Sequence, residues 1–393
     1  MRPRTLLLLL TLVLALVLVT GVEDGGAGGA QAMDWDGPVR QSDEDNAILK
    51  AAVEGSLEKI QQALNLGADI EARDGDVGNT PLIWASFHGH YGAVNFLLKR
   101  GASVGALSRD SHKTALIMAA YSGHVAVIVL LLDKGALVNE ANSRGDTPLA
   151  IAAYMNHTNC VRALLDHRAS LTRRTIKHHY TPLHLAAYRG YTSVLAELLP
   201  YYTWEVVADD DAPTTVEGAL DPLLNLNVRD KQGNSALLLA ATQGQTAAAD
   251  QLLEAGSDFC VTDKLGNTAL MLAANRGHLE TVALLVERLD AGAVAVSDVA
   301  KKVAARARER GASSLWLVDT PNLVGQTPLG RACAKGYSPL VKLLLMRGAS
   351  LAAAAVDGKS CREAALTGDF KLILGMLDEY EADGVSARDR VEL

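Results

Sequence analysis

One spaced pattern returns seven times along this chain of 393 residues. Each copy has Thr or Ser at an anchor position, Leu two residues later, Ala five residues later and Leu seventeen residues later. The anchors are Thr80, Thr114, Thr147, Thr181, Ser235, Thr268 and Thr327. Most anchors are 33 or 34 residues apart, and the two longer gaps, of 54 and 59 residues, contain one repeat plus an insertion. A fixed period in this range predicts stacked units that cannot bury their apolar faces alone.

Each copy of the pattern has the features of two short helices joined by a tight turn. The anchor hydroxyl can cap a helix, and Pro directly after it is tolerated in the first turn. Gly stands nine residues after six of the anchors, and Asn156 takes this position after Thr147. Both residue types suit the left-handed turn that ends a helix. Paired apolar residues such as Leu164 and Leu165 indicate a second helix, and Asp-x-x-Gly segments such as residues 230–233 indicate the next turn.

The pattern resembles the ankyrin repeat family, and residues 181–186 match its Thr-Pro-Leu-His-x-Ala signature in full. The resemblance implies an all-α solenoid of about nine helix-turn-helix units over residues 43–380, with two insertions. In register with the seven copies, we expect an N-terminal capping unit anchored at Asn46. We also expect a last unit over residues 358–377 with a turn one residue short. The family mainly provides binding surfaces, so the resemblance implies a non-enzymatic protein–protein interaction scaffold without a cofactor.

The N-terminal segment differs from the repeats. Arg2 and Arg4 precede an uncharged run of mainly Leu and Val, and residues 1–22 therefore have the layout of a signal peptide. The run is also long enough for an uncleaved signal anchor. Residues 23–42 form a Gly-rich, acidic linker that contains a small-residue cleavage pattern at residues 30–32. In either case the charge distribution would place the repeats in the lumen or outside the cell.

Two further features favour the secretory pathway. Asn156-His157-Thr158 is a glycosylation sequon in a predicted turn, which makes Asn156 a candidate glycosylation site. The charged C-terminal tail, residues 381–393, ends in Arg-Val-Glu-Leu, which is similar to the Lys-Asp-Glu-Leu retention signal except at Val391. We expect a protein of the endoplasmic reticulum lumen or a secreted protein. The alternative is a single-pass membrane protein with lumenal repeats.

The four cysteines predict no disulfide framework. Cys333 stands at a core Ala position, and we place Cys361 at a core Leu position, where cysteine acts as a small apolar residue. Cys160 and Cys260 lie three repeats apart, which is too far for a bond at about 10 Å per layer.

The net charge of −8 gives no general electrostatic reason to bind nucleic acid or an anionic membrane. We therefore expect a protein partner, of unknown identity, and contact with a membrane only if the N-terminal segment is retained as an anchor.

A column of aromatic residues predicts where that partner binds. The residue seven positions after the anchor is aromatic in four consecutive repeats, on the surface that the ankyrin family uses as its concave face. The candidate partner-binding residues are Phe87, Tyr121, Tyr154 and Tyr188, with His88, Met155 and Arg189 at the next position. Arg109, Arg144, Lys177 and His178 would line the adjoining rim. Aromatic residues suit interface anchors because they offer a large contact area, although this column could also only pad the helix ends.

The two insertions have opposite charge. Residues 200–226 contain six acidic residues and no Lys or Arg, whereas residues 287–318 carry a basic, helix-compatible stretch that begins near Ser297. They could contact each other, clasp one partner or be independent solvated loops. They also carry the alternative function, that of a membrane-tethered regulatory adaptor that recognises its partners through the insertions.

Patterns associated with catalysis and metal binding have simpler explanations. Residues 101–105 match Gly-x-Ser-x-Gly, but they follow a predicted second helix and not the strand that a nucleophile elbow requires. His178 and His179 have no further metal ligands at a useful spacing. The histidines that recur after the turn Gly, such as His90 and His124, are predicted to be structural. We predict no catalytic or metal site.

Overall fold

The computed structural model describes residues 42–75, 77–203, 224–290, 318–351, 355–356 and 358–382. Within these residues eighteen α-helices follow one another as nine pairs, which confirms the all-α repeat architecture. The helices are α1 Asp43–Glu54, α2 Leu57–Asn65, α3 Pro81–Phe87, α4 Tyr91–Lys99, α5 Ala115–Ser122, α6 Val125–Asp133, α7 Pro148–Tyr154, α8 Thr158–Asp166, α9 Pro182–Arg189, α10 Thr192–Leu198, α11 Ala236–Thr242, α12 Thr246–Glu254, α13 Ala269–Arg276, α14 Leu279–Asp290, α15 Pro328–Lys335, α16 Ser338–Met346, α17 Cys361–Thr367 and α18 Lys371–Ala382.

The helices form two layers. The first helix of each pair packs on the first helices of the neighbouring pairs, and the second helices pack on one another in the same order. Four two-residue strands complete the described elements: β1 Tyr202–Thr203, β2 Leu224–Asn225, β3 Ala355–Val356 and β4 Lys359–Ser360. Each repeat therefore contacts mainly its sequence neighbours, as expected of a solenoid.

The repeated residues form the core between and within the pairs. Every Leu at positions two and seventeen and every Ala at position five is at most 2% exposed. Each anchor hydroxyl accepts the backbone N–H three residues later, as at Thr114, whose Oγ1 lies 3.1 Å from the nitrogen of Ile117. Because burial and capping fall on the same pattern in all seven copies, one short sequence motif accounts for these seven of the nine helix pairs.

Successive repeats are also joined at the turn between their two helices. Gly89 ends its first helix with a φ of 74°, and the His124 ring of the next repeat occupies the space where a Cβ of Gly89 would lie. The His124 Nε2–H donates to the carbonyl oxygen of Phe87 at 3.0 Å. His90, His157 and His278 make the same bond to the preceding repeat. This confirms the structural role predicted for these histidines.

The turns that precede the first helices are connected by a row of backbone hydrogen bonds. The Ile176 nitrogen donates to the Arg144 oxygen, Lys231 to His178, Lys264 to Gln232 and Leu323 to Leu265, all at 2.8–3.0 Å. Two of these bonds join repeats that are separated by an insertion. The insertions therefore leave the stacking of the described repeats unbroken.

The repeat resumes at the same position after each insertion. Asn227 and Asp319 both stand eight residues before the next anchor. Their side-chain oxygens accept the backbone N–H of Asp258 and Ser350 in the following repeat, each at 2.9 Å. Asn139 makes the equivalent contact with Ser170 in a repeat without an insertion. The ends of the first insertion are held together by β1 and β2, which pair in parallel.

The first unit differs from the prediction in its starting residue. Ser42, and not Asn46, caps α1, and Asn46 lies inside the helix. The helix is one turn longer than the other first helices because Asp43, Glu44 and Asp45 extend its N-terminus, where acidic residues are favourable. The predicted register holds, since Ile48, Ala51 and Ala52 are buried and Gly55 has a φ of 70°.

The last unit was wrongly aligned by one residue. Ser360 caps α17, so the anchor lies 33 residues after Thr327 and the turn is of full length. Asp369 then takes the Gly position with a φ of 53°. Cys361 consequently stands at the first residue of α17 and not at the Leu position, which is occupied by Arg362.

The prediction of no disulfide was also wrong. Cys333 and Cys361 are bonded, with their Cα atoms 5.4 Å apart and both side chains buried. The bond joins the eighth and ninth units. It could not be predicted from the assumed register because the one-residue error placed Cys361 on the wrong part of its helix. Cys160 and Cys260 are free, as expected.

Several predictions concern residues outside the described part of the chain. These are the signal segment, most of the linker, residues 204–223 and 291–317 of the insertions, and the tail from residue 383. Of the second insertion, α14 accounts for residues 287–290, and Val318 is buried. None of the helices in the described residues has the length and apolar composition needed to cross a membrane.

Candidate partner-binding surface

The predicted binding residues lie at the C-terminal ends of four first helices, α3, α5, α7 and α9. Positions four, seven and eight after each anchor form adjacent columns there, because residues three and four apart share one side of a helix. We call these columns the floor. The row of turn residues three to five positions before each anchor borders the floor, and we call it the rim.

Phe87 and Tyr121 are in contact across two repeats. Their ring centroids are 6.2 Å apart in a stacked arrangement. Phe87 also contacts the edge of Trp84 at 5.9 Å and is only 9% exposed. Neighbouring rings therefore cover most of Phe87, which leaves little of this side chain for direct contact with a partner. Tyr121 is half-buried, and burial, with a smaller effect of Tyr154, raises its pKa.

Arg189 connects two repeats at the centre of the surface. Its guanidinium carbon lies 5.1 Å from the centroid of the Tyr154 ring, in a cation–π contact. The same group lies 5.5 Å from the Tyr191 ring and donates to the Tyr191 hydroxyl at 2.9 Å. Arg189 is exposed, whereas Tyr154, Met155 and Tyr188 are half-buried. The predicted residues Tyr154 and Arg189 thus lie side by side although they belong to different repeats.

His88 is held as a neutral imidazole at the N-terminal end of the floor. Its ring stacks on Trp84 at 6.0 Å and on His90 at 5.9 Å. Burial lowers its pKa to about 4, and the nearby His90 and His124 contribute in the same direction. Its Nε2 is buried without a hydrogen-bond partner in the described part of the protein. His88 therefore adds an aromatic surface at neutral pH, and no positive charge.

Tyr180 is part of the surface but was not among the predicted residues. It stacks against His178 at 5.1 Å and lies 6.4 Å from the Tyr188 ring. Burial raises its pKa to about 12. Tyr180 immediately precedes the anchor Thr181 and so lies between the rim turn and the first helix. An aromatic residue directly before an anchor is the sequence signal that could have revealed it. Trp84, four residues after the anchor Thr80, is a further aromatic residue of the surface that was not among the predicted residues.

The predicted rim residues lie in consecutive turns. The aliphatic stem of Arg109 lies on Gly78 of the preceding turn, and Lys264 lies on Gly233 in the same way. Arg144 pairs with Asp146 at 3.3 Å. The pKa of His178 is lowered, mainly by burial and then by Lys177, with a smaller effect of Lys231, while Asp230 acts in the opposite direction.

Asn156 directly follows the floor residue Met155 and is the candidate glycosylation site. It is exposed in the turn after α7 with a φ of 63°, and its Oδ1 accepts a hydrogen bond from Ser193 at 3.2 Å. The exposure is what a glycan acceptor requires.

The Gly-x-Ser-x-Gly match at residues 101–105 follows the helix α4 and not a strand, and Ser103 there donates its backbone N–H to Glu71.

The side chains of this surface include aromatic rings and the cations of Arg and Lys. Across the described residues no cluster of three His, Cys, Asp or Glu side chains is arranged to hold a metal ion. The arrangement suits contact with another macromolecule, because half-buried Tyr side chains and Arg are enriched in protein interfaces.

Family comparison agrees with the architecture. The model described as ankyrin repeats (3 copies) matches residues 29–108, 48–142, 116–210, 175–263 and 204–298, and the model of a single ankyrin repeat matches residues 324–355. A search of curated proteins finds no matching relative. The family matches cover well over half of the chain. The chain therefore belongs to the ankyrin repeat family, whose repeats are protein–protein interaction modules.

Proposed function

We propose that this protein is a non-enzymatic scaffold that binds a partner protein on the floor formed by its first helices. The observation that carries the proposal is a set of ring and cation contacts at the ends of four consecutive first helices: Phe87 with Tyr121, Arg189 with Tyr154 and Tyr180 with Tyr188. The helices that carry these side chains are about 10 Å apart per layer, so that four repeats would extend the surface over about 30 Å. A partner segment could lie along them without any change in the stacked helices.

The floor has the properties of a pre-formed site. The three Tyr side chains of the floor are half-buried, so that binding would cost less side-chain entropy than it would for fully exposed side chains. Phe87, buried behind Tyr121, would fix the position of that ring. Arg189, stacked on Tyr154, would be available for a carboxylate or a carbonyl of the partner.

We further propose that the scaffold works in the secretory pathway. The basic and apolar N-terminal sequence, the sequon at the exposed Asn156 and the bond between Cys333 and Cys361 support this location. Disulfides persist mainly in oxidising compartments. The proposal concerns location alone, and the binding surface does not depend on it.

Site-specific photo-crosslinking tests the binding surface. A photoreactive amino acid replaces Tyr121 in one variant and Ala126, exposed on α6 of the same repeat, in the control. Crosslinking in cells that produce the protein should yield a discrete partner band from position 121 and not from position 126. The Tyr121→Ala/Tyr154→Ala variant should retain its helical content and lose that partner in co-purification.

Two results would reject the proposal. One is crosslinking of the same partner from both position 121 and position 126, because binding would then not depend on the floor. The other is unchanged co-purification by the Tyr121→Ala/Tyr154→Ala variant when its circular dichroism shows an intact fold.

A further inference from the structure

The rim carries three lysines at one repeated position. Lys177, Lys231 and Lys264 each stand four residues before an anchor, in three consecutive repeats. All three are exposed. The bonds from the Lys231 nitrogen to the His178 oxygen and from the Lys264 nitrogen to the Gln232 oxygen, both 3.0 Å, keep the three turns in one row. At about 10 Å per repeat the row is about 20 Å long.

The carboxylates nearest in sequence to these lysines serve the turns themselves. Asp230 accepts the backbone N–H of Gln232 and Asn234, at 2.8 and 2.7 Å. Asp263 accepts those of Leu265 and Asn267 in the same way, both at 2.8 Å. Within the part of the chain that the structure describes, the Nζ atoms of Lys177, Lys231 and Lys264 form no ion pair with a carboxylate. Their charges therefore face solvent as a row.

The floor beside this row contains no acidic residue. Positions four, seven and eight of the seven repeats include no Asp or Glu, although the chain has more acidic than basic residues, 45 against 37. Cations are present there instead, and the exposed ones are Arg189, Arg276 and Lys335. The rim positions of the seven repeats hold five Lys or Arg residues and four Asp residues, so that floor and rim together carry nine basic and four acidic residues on a protein whose net charge is −8. This excess of positive charge is complementary to an acidic partner and favours it over a basic one.

Floor and rim are close enough for one segment to contact both. His178 stacks on Tyr180 at 5.1 Å, and Tyr180 lies 6.4 Å from Tyr188 of the floor. An extended segment advances about 3.3 Å per residue, so that about six residues would pass from Lys177 to Lys264. Alternate side chains of such a segment point to opposite sides, and acidic side chains could follow the rim while apolar ones lie on the floor.

We infer that the partner presents an extended acidic segment whose carboxylates lie against Lys177, Lys231 and Lys264. Its apolar side chains contact Tyr188 and, where the segment continues one repeat towards the N-terminus, Tyr154. This inference rests on the proposed function, because it requires the floor to be the contact surface. It adds the chemical class of the partner, which the family alone does not indicate.

The test uses two synthetic probes and the full chain as the host cell processes it. One probe is a fluorescent peptide of alternating Glu and Tyr, about a dozen residues long, and the other has Lys in place of every Glu. We expect the wild type to bind the acidic probe in fluorescence anisotropy and to bind it less tightly as salt is added. The Lys177→Glu/Lys231→Glu/Lys264→Glu variant should lose about tenfold or more in affinity.

A matched variant controls for net charge. Lys99, Lys134 and Lys342 are exposed on or next to second helices, away from the rim. Lys99→Glu/Lys134→Glu/Lys342→Glu alters the net charge by the same amount and should keep the wild-type affinity within about twofold. Both triple variants should unfold at temperatures close to that of the wild type, because all six side chains are at the surface.

Three results overturn the inference: equal loss in both triple variants, tighter binding of the lysine probe, or no binding of the acidic probe by the wild type. The crosslink from position 121 separates this failure from failure of the scaffold proposal. If the rim variant keeps the crosslinked partner, the scaffold remains supported and its partner is not held through acidic residues. If the crosslink is missing in the wild type, the scaffold proposal itself is rejected.

Discussion

The imidazole of His124 lies directly on Gly89 of the preceding repeat. A Cβ built on Gly89 would lie 2.5 Å from the His124 ring, and the ring donates to the Phe87 carbonyl at 3.0 Å. The glycine therefore serves two purposes, the left-handed turn and the close approach of the next repeat. The same pairing recurs between Gly123 and His157 and between Gly244 and His278.

Replacing Gly89 with Ala should destabilise the array by about 2–3 kcal/mol. About 1–2 kcal/mol comes from the left-handed backbone and the rest from the displaced His124 ring. Gly101→Ala isolates the first effect, because Gly101 has a φ of 97° and open space around it. Gly105→Ala, with neither feature, should change stability by less than about 0.5 kcal/mol. Urea unfolding measures the series, and equal losses at positions 89 and 105 would contradict it.

Acid should destabilise the fold through His184. Its Nε2–H donates to the Asn234 carbonyl at 3.1 Å, and its Nδ1 accepts the Thr181 backbone N–H at 3.3 Å. Complete burial is the main reason that its pKa falls to about 4 from an ordinary value of 6.5. A proton on Nδ1 would also face the Thr181 N–H. Since the unfolded chain takes up the proton first, this contribution is complete above pH 6.5 and is lost as the pH falls towards 4.

The expected loss from His184 is up to ~3 kcal/mol. The free energy of unfolding should be measured at pH 7 and 5 for the wild type, His184→Gln and the control His179→Gln, which lies in an exposed turn. His184→Gln should be less stable at pH 7 and lose less on acidification than the wild type. An unchanged pH dependence in His184→Gln would show that other groups cause it.

Reduction should weaken the C-terminal end of the array. The Cys333–Cys361 bond closes a loop with a sequence separation of 28 residues, for which the chain-entropy model gives about 3.5 kcal/mol. Cys333→Ala/Cys361→Ala removes the bond and introduces Ala, which the Thr114 repeat already carries at the equivalent positions, Ala120 and Ala115. A reductant should lower the unfolding midpoint of the wild type and not that of the double variant. Alkylation of all four cysteines in unreduced, denatured protein would contradict the bond.

The starting residue of the first helix can be tested with two substitutions. Ser42→Ala should cost about 1 kcal/mol, because the Ser42 Oγ accepts the N–H of Asp45 at 3.1 Å. Asn46→Ala should be neutral or slightly stabilising, since Asn46 is exposed inside α1 and Ala has the higher helix propensity. Thermal unfolding of the two variants provides the comparison. A larger loss of stability in Asn46→Ala than in Ser42→Ala would show that Asn46, and not Ser42, caps the helix.

Glycosylation tests the proposed location. We expect a mobility shift on treatment with endoglycosidase H that persists in Thr158→Ser, which keeps the sequon, and disappears in Thr158→Ala. The mature N-terminal sequence distinguishes a cleaved signal from an anchor. A glycan together with an intact N-terminus would select the membrane-tethered form. An unmodified Asn156 with an intact N-terminus in the soluble cytosolic fraction would reject the secretory location.

The features that lie inside one repeat were the most predictable from the sequence. The caps at Thr80 and Ser235, the buried Leu and Ala columns and the left-handed residue at Asn156 were all predicted. These features depend on side chains within one helix or one turn. The terminal units were less well predicted, because the pattern is degenerate there and a shift by one residue moves a side chain by about 100° around its helix.

The arrangement of the candidate site was only partly predictable. The aromatic column was visible as a repeated position, but the burial of Phe87 depends on Trp84 beside it and Tyr121 above it. The contact of Arg189 with Tyr154 depends on the orientation of two side chains from different repeats. Tyr180 was missed because no other repeat carries a similar ring immediately before its anchor.

The sequence by itself determined the architecture, since a period of 33 residues with a cap, two apolar columns and a turn residue can bury its core only by stacking. Tertiary structure decided which residues of different repeats meet. It paired Cys333 with Cys361, placed His124 on Gly89, joined the turns across both insertions and arranged Lys177, Lys231 and Lys264 in one row. The physical reason is that a repeat pattern specifies each unit from within. Contacts between units depend on their spacing and rotation, and these arise only when the units are stacked.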